Sequence, residues 1–89
     1  MRADNAGDVV DGNAVAGLLA EVFEADATSL VGVCGGCQAA APLAETVVEI
    51  DEVAAIMRCR TCTHTLLTIL RGPAGTRVVV GTLRELRPQ

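Results

Sequence analysis

The sequence predicts a small α+β fold, with an N-terminal amphipathic helix followed by an antiparallel β-sheet pinned at one end. Three observations predict it. The chain has 89 residues, enough for one domain with a modest core and few enough that a staple is expected. Its apolar residues follow a helical period before residue 26 and gather into short β-rich runs after residue 28. Between and beside those runs lie two cysteine pairs of identical spacing, Cys34-x-x-Cys37 and Cys59-x-x-Cys62.

Residues 1–10 are polar, contain glycine and show no period, so they read as a disordered lead-in. Residues 11–26, "DGNAVAGLLAEVFEAD", read as a helix. Asp11 or Asn13 can cap it by accepting from the first free backbone N–H groups. Val15, Leu18, Leu19, Val22 and Phe23 form one apolar stripe. Gly17 weakens the helix by about 1 kcal/mol relative to alanine. Such a stripe either packs on its own domain or docks in the groove of a partner.

Strands follow at residues 28–33, 43–50, 53–58 and 63–71. "GPAG" at 72–75 is a turn, because Pro and Gly end the strand and supply the backbone angles of a reversal. Residues 76–80 return as the second arm of a hairpin. The sheet expected from these runs has three to five strands. "LRELRPQ" reads as a polar end with one helical turn, and residues 87–89 as a tail. The single domain thus spans residues 11–86.

Four thiolates from two C-x-x-C turns can surround one point. That donor set suits zinc, which tolerates sulfur well and has no redox chemistry of its own. The 21 residues between the pairs lie near the spacing of zinc ribbons. Gly35 and Gly36 allow a tight turn. The formal charge of a zinc with four thiolates is −2, which Arg58 and Arg60 beside Cys59 are placed to offset. Cys34, Cys37, Cys59 and Cys62 are therefore the expected ligands of one structural zinc. Iron of the rubredoxin kind takes the same ligands, but in aromatic-rich cores. This chain has one Phe and no Trp or Tyr. His64, the only histidine, is placed to replace a sulfur or donate to one, or simply to sit on a strand beside the site.

Charge narrows the functional classes. Residues 1–26 carry one Arg and six acids, whereas residues 27–89 carry six Arg and five acids, and there is no Lys. An acidic front half opposes non-specific attraction to nucleic acid or anionic lipid. No leader pattern and no apolar run of membrane-spanning length is seen. The expected setting is cytoplasmic, where thiols stay reduced and paired cysteines favour metal over disulfide. Four cysteines close the metal's shell and leave no position for water, so no catalytic residue is expected. Glu45, Glu49, Asp51 and Glu52 read as a solvated edge.

The expected function is that of a non-catalytic adaptor or protein-interaction module. Its partner is a larger protein or a second copy, met through the helix or an exposed edge such as residues 76–80. A nucleic-acid or transcription-associated ribbon is the first alternative, with Arg58, Arg60, Arg71, Arg77, Arg84 and Arg87 on one face. It lacks the aromatic residues on which bases stack. A thiol redox protein is the second alternative, since C-x-x-C can cycle.

Several stretches together carry a resemblance. "DGNA" opens the helix, "EVF" closes it, "CGGC" is followed by "PLAE", and "CRTC" by an apolar strand. The chain resembles a family of small bacterial zinc-ribbon proteins of unknown function over residues 11–86. The resemblance implies a ribbon with an N-terminal helix and zinc on Cys34, Cys37, Cys59 and Cys62. It implies no activity. Arg60 stands where the commoner pattern has Pro after the third cysteine.

Overall fold

The computed structural model describes residues 8–23 and 26–89. Eight strands lie among them: β1 (Asp8–Asp11), β2 (Val31–Cys34), β3 (Ala40–Pro42), β4 (Val47–Ile50), β5 (Ala54–Arg58), β6 (Thr65–Gly72), β7 (Gly75–Val80) and β8 (Leu83–Arg87). They build two sheets, one ordered β1-β4-β5-β6-β7 and one ordered β3-β2-β8. All pairings are antiparallel.

Local chemistry sets the reversals. Asp51 ends β4, and its Oδ1 accepts from the N–H groups of Val53 and Ala54 at 2.9 and 2.8 Å. This is an Asx turn that holds the chain for β5. β6 and β7 form the expected hairpin: Gly72 pairs with Gly75 across Pro73 and Ala74. Gly75 takes a φ of +119°, which a residue with a Cβ rarely adopts.

Alternation places Val48, Ala55, Met57, Leu67 and Ile69 on the inner face of the five-stranded sheet, all buried. Val15, Leu18 and Leu19 cover that face, together with Ala27 and Leu43. Leu83 and Leu86 of the smaller sheet close the same core.

The helix is shorter than the stripe suggests. A 3₁₀ turn (Gly12–Val15) leads into one short α-helix, α1 (Ala16–Ala20). Asp11 is the cap, accepting from the N–H of Asn13 at 3.1 Å. Downstream, Asp26 caps a separate 3₁₀ turn, accepting from the N–H and hydroxyl of Thr28. A second cap starts a new element and competes with continuing the first. Most of the stripe is spent inside the chain: Leu18 and Leu19 are buried, Phe23 packs on the core and Val22 is 39% exposed.

Four further differences concern strands. The strand expected at 43–50 begins only at Val47, because Leu43–Glu45 form a 3₁₀ turn. Residues 1–7 of the expected lead-in lie outside the described residues, whereas Asp8–Asp11 form β1 against β4. β3 was hidden in "AAP". The "LRELR" segment is a strand and not a helical turn, paired with β2. Gln89, in the expected tail, donates to the carbonyl of Ser29 at 2.8 Å.

Candidate metal centre

Each cysteine pair sits on a tight knuckle at a strand end. The first joins β2 to β3 and the second joins β5 to β6. The two knuckles repeat one set of backbone bonds. In the first, the Cys34 N–H donates to the carbonyl of Ala39 at 2.9 Å, and the Gln38 N–H donates to the carbonyl of Cys34 at 2.8 Å. In the second, the Cys59 N–H donates to the His64 carbonyl at 2.8 Å, and the Thr63 N–H donates to the Cys59 carbonyl at 2.9 Å. Gln38 and Thr63, each just after the second cysteine of its pair, both have a φ of +66°. That left-handed residue turns each chain back on itself.

The knuckles bring all four Sγ atoms within 4.8 Å of one another. Cys34 Sγ lies 3.5 Å from Cys62 Sγ, and Cys37 Sγ lies 3.6 Å from Cys59 Sγ. A disulfide needs about 2.05 Å, and all four thiols are free. Sulfurs at tetrahedral corners about 2.3 Å from a zinc would stand about 3.8 Å apart. The cluster fits a metal with four sulfur ligands. It is half-enclosed, with Cys34 and Cys59 buried among Leu66 and Leu83, and Cys37 and Cys62 nearer the surface.

Backbone N–H groups converge on the sulfurs. Gly36 donates to Cys34 Sγ at 3.3 Å. Burial pushes the Cys59 thiol up, but the N–H groups of Cys62 and Thr61 and the neighbouring sulfurs outweigh it and bring it to about 7. At Cys62 the His64 N–H favours the thiolate, yet burial and the other three sulfurs prevail and push it up to about 12. Cys37 is also raised: the Ala39 N–H favours its thiolate, against burial and the Cys59 and Cys34 sulfurs. Neighbouring sulfurs oppose one another's ionisation at this range, and a cation among them would relieve that opposition.

A family model matches residues 4–89 of this chain. The chain belongs to DUF6510, a family of unknown function. No curated protein and no solved structure matches it. The DUF6510 match thus reaches beyond residues 11–86 at both ends and takes in β1 and all of β8.

The structure places His64 beside the cluster. Its Nδ1 is 3.1 Å from Cys62 Sγ, so the ring can donate to that sulfur. The ring also covers the first knuckle: a Cβ on Gly36 would meet Nδ1 at 2.9 Å. Gly35 has a different constraint, since its Cβ would meet the Thr82 carbonyl oxygen at 2.8 Å. That same oxygen accepts from the Gly35 N–H at 2.8 Å, so the entry to β8 latches the first knuckle.

Of the two arginines expected to offset the charge of the site, Arg58 is turned to other partners and Arg60 stays beside the cysteines. Arg58 turns to Glu49 at 2.5 Å and to the Thr65 hydroxyl at 3.2 Å, across the β4–β5 pair that puts Val47 opposite it. Its charge is engaged there. Arg60 is exposed and lines a small cleft with Cys34, Cys59 and Leu66. Arg84 donates to the Gln38 side chain and so supports the left-handed residue of the first knuckle. Sequence reasoning missed Gln38 and Thr63, and it placed Arg84 only on a nucleic-acid face. Neither Gln nor Thr is a habitual left-handed residue, so only their matched positions after the second cysteines signal the turn.

Proposed function

We propose that Cys34, Cys37, Cys59 and Cys62 hold one structural zinc ion, and that the chain is a zinc ribbon serving as a non-catalytic protein-interaction module. The observation that carries the metal reading is the pair of knuckles with matching hydrogen bonds, which face four sulfurs toward one centre. Four-sulfur sites of this kind favour zinc or iron, and the lack of an aromatic shell favours zinc. Bound zinc would supply charge compensation and folding energy. Four sulfurs leave it no open position for substrate or water.

The interaction role is supported by what the surface offers. The helix stripe is largely consumed by the core, so the groove-docking version is set aside in favour of a sheet edge. The nucleic-acid alternative is weakened because Arg58 and Arg87 are paired with Glu49 and Glu85. The redox alternative is less favoured: all four thiols are free and sulfurs of different knuckles approach at 3.5 and 3.6 Å round one centre, whereas C-x-x-C redox cycling joins the two cysteines within one motif. Four persistent thiols suit a reducing compartment such as the cytoplasm. Among the described residues no helix is long and apolar enough to cross a membrane.

Native mass spectrometry of tagged protein, drawn gently from its own cells, tests the reading. One zinc per chain together with a bound protein is the expected result. Nucleic acid lost steeply with rising salt would favour the first alternative, and metal-free disulfides the second.

A further inference from the structure

The two sheets have four edges, and three of them carry features that discourage pairing. β1 is four residues long and has an aspartate at each end. β3 has three residues and ends in Pro42, which has no N–H to give. β8 carries Arg84, Glu85 and Arg87 among its five residues. Short length, charge and proline are the devices by which exposed edges avoid other chains. β7 differs. Its last three residues are Val78, Val79 and Val80, and Arg77 is its only charged residue. Val79 and Val80 are 48% and 62% exposed.

Among the described residues the backbone of this edge is open in a regular way. The Gly81 N–H donates to the Leu66 carbonyl, so residue 81 bonds toward β6. Bonding alternates along an antiparallel pair. Residues 79 and 77 therefore also face β6, and Val78 and Val80 turn their N–H and C=O groups outward. Two outward residues separated by one make the unit that an added antiparallel strand requires.

We infer that β7 pairs antiparallel with β7 of a second copy of this chain, joining two five-stranded sheets edge to edge. This rests on the interaction reading above and names its partner. The register follows from the outward residues. With Val79 on the two-fold axis, Val78 bonds to Val80 of the other copy and Val80 to its Val78. Val79 then faces its own counterpart, in a non-bonded pair where side chains come closest. Arg77 falls opposite Gly81, and the two Arg77 side chains stand well apart. The sequence is thus self-complementary: across residues 77–81 every opposing position is apolar or glycine except one arginine that meets no like charge, and beyond them Thr76 faces Thr82. Valine against valine is a favourable cross-strand pair.

The test uses the intact zinc-loaded chain. Sedimentation from about 1 µM to about 1 mM should show a monomer–dimer equilibrium. Hydrogen exchange should show the Val78 and Val80 amides slowing as concentration rises, while β1 and β8 amides do not change. Val79→Lys places like charges face to face on the axis. It should weaken dimerisation by about tenfold or more while keeping one zinc per chain. The exchange data on the unaltered chain decide the matter if that variant folds poorly. A monomer throughout the range overturns the inference, as does a dimer that leaves Val78 and Val80 unprotected or ignores Val79→Lys. A different protein found on the β7 edge also overturns it, yet leaves the interaction reading standing. That broader reading falls only if the native mass spectrum also shows the zinc-loaded chain alone.

Discussion

The two ends of this molecule are held by different physics. At one end the five-stranded sheet, α1 and a 3₁₀ turn at Leu43–Glu45 enclose an apolar cluster that includes Leu19, Met57, Leu67 and Ile69, each 1% exposed or less. At the other end only Cys34, Cys59 and Leu66 are buried together. The first end is stabilised in increments, by apolar area removed from water. The second has few buried apolar side chains, and on the reading proposed above it depends on the metal that the four sulfurs would hold. A region held by packing loses stability in steps as groups are removed. A region held by one ion fails as a unit when a ligand is lost.

The largest effect should come from the metal end. Cys59→Ser should release the metal and unfold both knuckles with β2, β3 and β8, because about 10 kcal/mol or more of apparent binding energy supports folding in such sites. Amide-proton dispersion and melting measure this, and a native spectrum with unchanged melting would sink the claim. Leu19→Ala should cost about 3–4 kcal/mol through the cavity it leaves, with the metal retained, as read by denaturant titration. If Leu19→Ala also strips the metal, the two ends are not independent.

Gly12→Ala should come next. Its Cβ would lie 1.8 Å from the Leu43 carbonyl oxygen and 2.8 Å from the Thr46 hydroxyl, so the 3₁₀ turn must shift. A loss of about 2–3 kcal/mol is expected. His64→Ala should leave the core alone and lower metal affinity by about tenfold, as the loss of a partner beside a ligand does. A chelator competition shows it. Gly17→Ala is the smallest effect and has the opposite sign. No atom stands within 4 Å of the added Cβ, so the helical turn should gain about 0.5–1 kcal/mol. Destabilisation by Gly17→Ala would mean that this face of α1 is covered in solution.

The comparison also explains what the sequence made legible. The four cysteines were readable because a metal site is written as spacing. The inner residues of β5 and β6 were readable because apolar and polar residues alternate there. β8 was not, because Leu83 and Leu86 stand three apart, which is a helical interval. A β-bulge accounts for it: Val33 pairs with Glu85 and Cys34 with Leu83, so Arg84 is the extra residue. The bulge returns Leu83 to the face used by Leu86, and both reach the core. A second bulge passes over Leu66, since Met57 pairs with Leu67 and Arg58 with Thr65. It lets Leu66 and Leu67 both be buried, one with the cysteines and one in the apolar cluster. Each bulge adjoins a knuckle. Both lie where a cysteine knuckle joins a sheet, a tertiary junction that periodicity does not record.

The extent of α1 was misjudged for a similar reason. The stripe from Val15 to Phe23 is real, since four of its five members touch the core. Helical bonding runs on as far as Phe23, whose N–H donates to the Leu19 carbonyl at 2.8 Å, and a separate 3₁₀ turn capped by Asp26 comes after it. Periodicity told which side chains turn inward and not how long the helix lasts.

The measurement that tests this account most directly is metal analysis combined with thiol labelling on the native chain. One zinc per chain, with all four cysteines unreactive until a chelator is added, is the predicted result. A metal-free chain, or one with Cys34 joined to Cys37 and Cys59 to Cys62, would contradict it.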